Sequence, residues 1–299
     1  MSEQTTTAQL IAKHPQFVAE TTEGTKVTAS PNYTSLGVVK SIAIKINGNF
    51  VDISQVASED LIDIIQGMQE YETQYTMTVQ NITSILDRLI DPANFATPVG
   101  TVSETLNIVF SVYHDGTEKY IFCLGSRLKE GSVTMETGKE TEVSVTFTHT
   151  SITTPNATSG LTTPTHATLP TGAVLGWMDG GADPISWNAV GLNCKKFSFN
   201  INRNSKTDHT LGNLDPYSSQ PHGRRITGDF TVLWTNTTLE TDFKAGTARA
   251  LVATIDTGVG VITITGAKIV DYARDEGSDD EDSVIEQCTY RALSVGIAP

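Results

Sequence analysis

Lys40-Ser-Ile-Ala-Ile-Lys-Ile-Asn-Gly-Asn49 and Lys195-Lys-Phe-Ser-Phe-Asn-Ile-Asn-Arg-Asn204 state one pattern twice in a chain of 299 residues. Ile42, Ile44 and Ile46 fall on Phe197, Phe199 and Ile201, and Asn47 and Asn49 fall on Asn202 and Asn204, at an offset of 155 residues. The offset persists downstream, where Tyr75-Thr-Met falls on Phe230-Thr-Val, Asn81 on Asn236 and Asp87 on Asp242. A period this long exceeds the roughly 20–50 residues of a solenoid unit, so it reads as a duplicated domain.

Strict alternation makes each stretch a strand with two faces. Ile42, Ile44 and Ile46 point one way, and Ser41, Ala43 and Lys45 the other. In the second copy Phe197, Phe199 and Ile201 oppose Lys196, Ser198 and Asn200. The next strand of each copy repeats the scheme. Tyr75, Met77 and Val79 oppose Thr76 and Thr78, while Phe230, Val232 and Trp234 oppose Asp229, Thr231 and, less neatly, Leu233. The apolar face must pack on something. The other face is short, polar and nearly smooth, as on a solvated antiparallel sheet or a channel wall.

Outward from these strands the chain divides into four. Residues 1–35 read as an extended arm with a short helix near Ala8–Lys13. Residues 36–152 form the first copy. In it, Leu36–Asn47, Thr73–Val79, Leu106–Tyr113, Lys119–Leu124 and Val143–Ile152 read as strands. Ser58–Ile65, with an N-cap serine and early acids, and Asn81–Ile90, with apolar residues at helical spacing, read as helices. Residues 153–186, rich in Thr, Pro and Gly, read as a linker. Residues 187–299 form the second copy, with strands at Asn193–Asn202, Ile226–Trp234, Ala250–Ile255, Gly260–Asp271 and Glu286–Ile297 and a helix at Leu239–Ala245. The fold class is mainly β: two tandem antiparallel β-barrels or sandwiches, each with a short flanking helix.

Composition narrows the function. Charged residues make up 18% and hydrophobic ones 38%, too little charge for a disordered chain. The net charge of −14 argues against tight nucleic-acid binding, which needs Lys and Arg against phosphate. It does not argue against a conduit, whose wall should repel phosphate. Cys123, Cys194 and Cys288 have no C-x-x-C spacing and read as small buried thiols. The first residues show no secretory signal and no apolar run is long enough for a membrane span, which points to synthesis in a reducing cytosol.

No nucleophile elbow, P-loop, dinucleotide glycine fingerprint or metalloprotease motif is present, so neither an enzyme nor a cofactor is expected. The six histidines lack ligand spacing, and Asp208-His209 reads as an exposed loop. Asp275–Asp282 lacks the calcium-loop order and reads as a solvated hairpin tip, so no metal is expected. Arg224-Arg225, the only paired arginine, reads as a subunit-interface ion-pair donor.

Cys194–Asn204, Leu214-Asp-Pro216, Gly223-Arg-Arg-Ile-Thr-Gly-Asp-Phe-Thr-Val232 and the helix ending Phe243-Lys-Ala-Gly246 together resemble the major tail tube proteins of tailed phages and related injection machines. The first copy departs from that pattern, because Gly67–Thr76 lacks the arginine pair and the second glycine. The resemblance covers residues 36–152 and 187–299. It implies a small β-barrel or sandwich whose strands join neighbouring domains into a ring, and a structural virion protein of the tail. Its partners would be further copies of itself, the tape measure, terminator and baseplate components, a sheath where one exists, and double-stranded DNA in transit.

The sizes agree with that implication. Six domains of four strands give roughly 24 strands, and at ~4.8 Å spacing and ~40° tilt a backbone diameter of about 48 Å, leaving about 38 Å inside the side chains. Two domains per chain make three chains sufficient, a homotrimer in preference to a hexamer. The residues expected to line the channel are Ser41, Ala43, Lys45, Thr76, Thr78, Lys196, Ser198, Asn200 and Thr231, with acidic neighbours offsetting Lys45. The competing readings are a two-domain adhesin or carbohydrate-binding module using the acidic loop Asp275–Asp282 or Trp177 and Trp187, and a tail terminator or baseplate adaptor of the same fold.

Overall fold

The computed structural model describes residues 11–20, 22–25, 34–54, 61–79, 105–114, 117–153, 175–176, 181, 183–203, 205–220, 223–256, 260–275 and 284–298. Alternating sequence gives antiparallel pairing throughout. The first half holds β1 (Ile11–Ala19), β2 (Thr34–Ser35), β3 (Val38–Ser54), β4 (Leu61–Thr78), β5 (Leu106–His114), β6 (Thr117–Glu136), β7 (Glu142–His149) and β8 (Ser151–Ile152). The second holds β9 (Ile185–Trp187), β10 (Val190–Leu192), β11 (Cys194–Asn202), β12 (Lys206–Asp208), β13 (Ser218–Gln220), β14 (Arg225–Leu233), α1 (Thr238–Ala245), β15 (Arg249–Asp256), β16 (Gly260–Asp275), β17 (Ile285–Ala292) and β18 (Ser294–Ala298).

Eight strands lie side by side in the order β3-β4-β7-β6-β11-β14-β17-β16. The seam between halves is a strand pairing, β6 against β11, with Phe197 opposite Met135 and Phe199 opposite Val133. Two long strands leave this sheet. The first part of β6 pairs with β5 and β8, and the first part of β16 pairs with β15 and β18. Each turns at a glycine in the left-handed region, Gly125 (φ 58°) and Gly266 (φ 66°), a conformation that side-chain-bearing residues resist. A Cβ on Gly125 would meet Thr150, and one on Gly266 would meet Leu293.

The halves repeat in register as well as in order. Ile42 opposes Tyr75, and Phe197 opposes Phe230. A bulge falls between Val39 and Ser41 and another between Cys194 and Lys196, which are matching positions. β6 against β7 has its irregularity at Leu128/Glu130, and β16 against β17 at Ile269/Asp271. β5 against β6 shifts at Leu106/Ile108, and β15 against β16 at Arg249/Leu251.

One hydrophobic core runs under both halves of the sheet. Tyr75, Phe147, Val143 and Val133 fill the first half, and Trp187, Phe197, Phe230 and Tyr290 the second, all at most 1% exposed. The halves differ where bulk is exchanged. Gly228 lets Tyr290 lie across the strand and donate its hydroxyl to the Ser198 carbonyl at 3.0 Å. A Cβ on Gly228 would sit 2.2 Å from that same carbonyl oxygen. The first half has Thr73 and Phe147 at the corresponding pairing.

The short helix expected at Leu239–Ala245 is α1. Gly246 closes it in the left-handed conformation. Buried Asp242 anchors it, accepting the Trp187 indole N–H at 2.8 Å and two Arg249 N–H groups at 2.9 and 3.1 Å. Phe243 stacks on Tyr272 at 5.8 Å.

Three expectations change. Leu61–Ile65, expected in a helix, belong to β4, where Ile65 opposes Val51 and Ile64 opposes Asp52. Pairing along a long hairpin outweighs the local capping signal. Ile11–Lys13, expected at the end of a short helix, lie in β1, which pairs with β5. The described arm is therefore a strand of the fold, with Gln16 and Phe17 buried. Lys119–Leu124 is the start of a strand of 20 residues. The helix expected at Asn81–Ile90, most of the linker and the acidic residues after Asp275 lie outside the described residues.

Candidate channel face and sheet edges

The residues expected to line a channel share one face of the eight-strand sheet. Register places Ser41 opposite Thr76, and Lys196 opposite Thr231. Ala43 faces Gln74, Lys45 faces Glu72, Ser198 faces Asp229 and Asn200 faces Thr227. Across the seam, Ser198 faces Thr134 and Asn200 faces Ser132. Ser41, Ala43, Lys45 and Lys196 are exposed, and Thr76, Ser198, Asn200 and Thr231 are half-buried. Thr78 is the exception at 3% exposure, so it presents little to any channel.

Hydrogen bonds tie this face into a low-relief surface. Ser198 donates to Asp229 at 2.6 Å, Asn200 to Glu130 at 2.6 Å and Gln74 to Ser144 at 3.0 Å. Lys129 bonds Glu72. The cationic members face acids, Lys45 opposite Glu72 and Lys196 opposite Glu136. Sequence reasoning missed Gln74, Ser132, Thr134, Ser144, Thr146 and Thr227, and placed Asp229 on this face without counting it among the channel residues. The alternation Glu142-Val-Ser-Val-Thr-Phe-Thr148 carried the signal for the central strand, and the length of β6 hid the rest.

The two sheet edges differ from the interior. Among the described residues β3 pairs only with β4, and the Lys268–Asp275 part of β16 only with β17. On β3, Ile44 is 43% and Ile46 56% exposed, whereas Phe199 and Ile201, at the matching positions of β11, are 0% exposed. Arg225 opposes Asn202 and is exposed, while half-buried Arg224 has its guanidinium pKa lowered by burial. Arg225 shares the polar face of β14 with Thr227, Asp229 and Thr231, so the structure places it beside the channel-face residues at the end where β14 begins.

At the end of the sheet where β7 stops lies a buried imidazole. His149 Nε2 is 2.7 Å from Thr73 Oγ1, and Nδ1 is 2.8 Å from Ser126 Oγ. Desolvation pushes its pKa down to about 3, so the ring is neutral. Cys123 and Cys288 are buried and Cys194 is half-buried, and burial pushes all three thiols up to about 12. Such thiols are weak nucleophiles. Trp187 is 1% exposed and bonded to Asp242, which removes it as a platform for a carbohydrate ligand. Among the described residues no group of His, Cys, Asp and Glu could hold a metal ion, and no helix is long and apolar enough to cross a membrane.

The family model for phage tail tube proteins matches residues 15–292, spanning both halves of the sheet and the seam between them. The chain belongs to the phage tail tube protein family. It is a structural tail tube protein and a component of the virion tail, and that family membership implies a non-enzymatic role. No curated protein matches the chain.

Proposed function

We propose that this tail tube protein is a domain duplication that assembles into stacked homotrimeric rings, each a closed barrel around a channel for double-stranded DNA. The observation that carries this reading is the contrast between β3 and β11. The two strands match in sequence, bulge and register, yet Phe199 and Ile201 are covered and Ile44 and Ile46 are not. The difference is that β11 has β6 beside it. An edge strand of 17 residues with exposed isoleucines is a template for a further strand.

The seam inside the chain supplies the geometry for a seam between chains. β16 holds the place of β6, and β3 the place of β11. Transferring the β6–β11 register sets Asn47 of one protomer opposite Asp271 of the next, Ile46 opposite Tyr272, Lys45 opposite Ala273, Ile44 opposite Arg274 and Ala43 opposite Asp275. Such a contact is head-to-tail and closes by rotation. Eight strands from each of three chains make a 24-strand barrel.

The duplication rests on the coincident registers, the matching bulges and the paired left-handed glycines. The repeating units are the two β domains at 36–152 and 187–299, with β1–β2 and β9–β10 added as matching strands at their beginnings. The polar face carrying Ser41, Ala43, Lys45, Thr76, Lys196, Ser198, Asn200 and Thr231 lines the channel, and DNA passes it without specific binding. Arg224 and Arg225, where β14 begins, serve ion pairs between subunits. The chain is made in the host cytoplasm and joins the other components of the tail.

Electron microscopy with helical reconstruction of the purified protein tests this. Hollow tubes with three chains per ring are expected. Six identical chains per ring would remove the trimer, and compact particles that never stack would favour a terminator or adaptor.

A further inference from the structure

The halves match one step beyond the eight-strand sheet. β12 and β13 pair Lys206 with Gln220, Thr207 with Ser219 and Asp208 with Ser218. The far part of the β3–β4 hairpin pairs Val51 with Ile65, Asp52 with Ile64 and Ile53 with Asp63. Every residue of the first set stands 155 places after its counterpart in the second, the offset of the repeat. β12–β13 is therefore the second copy of that hairpin, and position 207 answers to position 52.

Within the chain, the second hairpin crosses the seam and rests on the first half. Arg203 N–H donates to the Lys129 carbonyl at 2.9 Å, and the Thr207 hydroxyl to Glu70 Oε1 at 3.4 Å. A cavity of about 260 Å³ lies at this contact, with Glu70, Glu72, Lys129 and Thr148 from the sheet and Lys206 and Thr207 from the hairpin. Its charges balance, because two acids of the sheet meet Lys129 and the Lys206 that the hairpin brings.

The second half presents the same seat with the sign reversed. The row Glu72, Thr148 and Arg127 across β4, β7 and β6 answers to Thr227, Arg291 and Lys268 across β14, β17 and β16. Glu70 answers to Arg225 at the repeat offset. Arg225, Lys268 and Arg291 are exposed, and among the described residues no carboxylate forms an ion pair with them. Lys268 stands directly opposite Arg291, and like charges so placed repel. In the first half the matching Arg127 is paired with Glu23 at 2.9 Å.

We propose that the basic seat of Arg225, Lys268 and Arg291 receives the β3–β4 hairpin of the neighbouring chain in the same ring, which brings Asp52 to it. The inference rests on the ring reading above and names the partner of Arg225. Carried across the junction, the contacts of the inner seam set Gly48 of the neighbour at Val270, which is 44% exposed, and Asp52 at Arg225. The reversal makes the two seams non-interchangeable. A second-half hairpin placed on the basic seat would set Lys206 among three cations, and a first-half hairpin placed on the inner seat would set Asp52 against Glu70 and Glu72. Like charges at a contact reject a wrong partner as effectively as good contacts select the right one. Each chain therefore keeps its own second hairpin and holds its basic seat for the next chain.

Charge exchange tests it. Arg225 and Arg291 are exposed, so Arg225→Glu with Arg291→Glu should keep the fold by circular dichroism. Light scattering should show monomers at a concentration where the natural protein is trimeric, and adding Asp52→Arg to that variant should restore trimers. Independently, Asp52→Cys combined with Arg225→Cys should give covalent dimers and trimers on a non-reducing gel after oxidation, absent from either single variant. Trimers that survive the double reversal, a folded triple variant that stays monomeric, or trimers of the cysteine pair that give no cross-link overturn the seat and leave the ring standing. Natural protein that forms neither rings nor tubes overturns the ring reading and the seat with it.

Discussion

Replacing Ile44 and Ile46 together with lysine should leave a folded monomer that no longer closes a ring. Both side chains already stand 43% and 56% exposed in the single chain, so a lysine at either site keeps its ammonium in water. At a junction built like β6–β11 they would become fully buried, as Phe199 and Ile201 are. Full burial of an isoleucine is worth about 1.5–3 kcal/mol, so covering the remaining half contributes about 1 kcal/mol each and about 2 kcal/mol per junction. That is about 30-fold in the association constant of one junction. The added charges must also be desolvated there, which increases the loss. Three junctions per ring compound it.

Light scattering coupled to size exclusion reads the outcome directly: trimers and larger species for the natural protein, monomers for the double variant at the same concentration. Thermal unfolding of the monomer should be unchanged. Trimers that persist with both lysines in place would refute the argument, because they would show that ring contacts do not run through the β3 edge.

Three further outcomes follow from the same geometry. Phe230→Asp should fail to give soluble protein, since it leaves a charge in the core between Trp187 and Tyr290, while Thr231→Asp on the opposite face folds; equal solubility of the two would invert the assignment of faces. His149 is neutral when folded, its pKa depressed to about 3, whereas the unfolded ring titrates near 6.5, so its contribution is complete above that pH and is lost as pH falls toward 3. Each pH unit in that window costs about 1.4 kcal/mol, so between pH 7 and 4.5 urea unfolding of the natural protein should lose about 2–3 kcal/mol more than that of His149→Gln, and parallel losses would refute it. Thr76, Ser198 and Asn200 changed together to lysine should permit tubes but slow DNA ejection, with relief at high salt; normal ejection at low salt would place this face away from the channel.

The sheet was legible because alternation leaves a period-two trace that needs no tertiary information. The strands around Ile42, Tyr75, Phe199 and Phe230 read directly, and so did their faces except at Ile44, Ile46 and Trp234, which were expected on the packed face and are exposed. The seam was not legible. Glu130–Glu136 alternates weakly, with Gly131, Ser132 and Thr134 among its members, and only the neighbouring β11 makes it a strand interior. Leu61–Ile65 looked helical because a serine and two acids precede it, and the partner that overrides that signal, Val51–Ser54, lies across a hairpin. The channel face was half legible. Small polar residues mark an outward face, but Thr78 is buried where the chain runs on to Val79, whose N–H donates to the Thr141 carbonyl.

On the proposed reading, fusing two domains changes the energetics of closing a ring. Each free body that joins an assembly loses translational and rotational freedom worth about 4–15 kcal/mol, so three chains in place of six remove three such losses. The seam within the chain can then be made strong without risk. It buries Phe199 and Ile201 completely, and never has to stay open in solution. The free edge has the opposite requirement, since each chain must remain soluble until its neighbours arrive. Its matching positions hold Ile44 and Ile46, with an isoleucine where β11 has Phe199, Lys45 between them and the Lys40–Glu140 ion pair nearby. Charges on an edge strand are a standard guard against premature pairing. The sequence difference between two otherwise matched strands is therefore what the difference in their duties requires: β11 is finished when the chain folds, and β3 only when the ring closes.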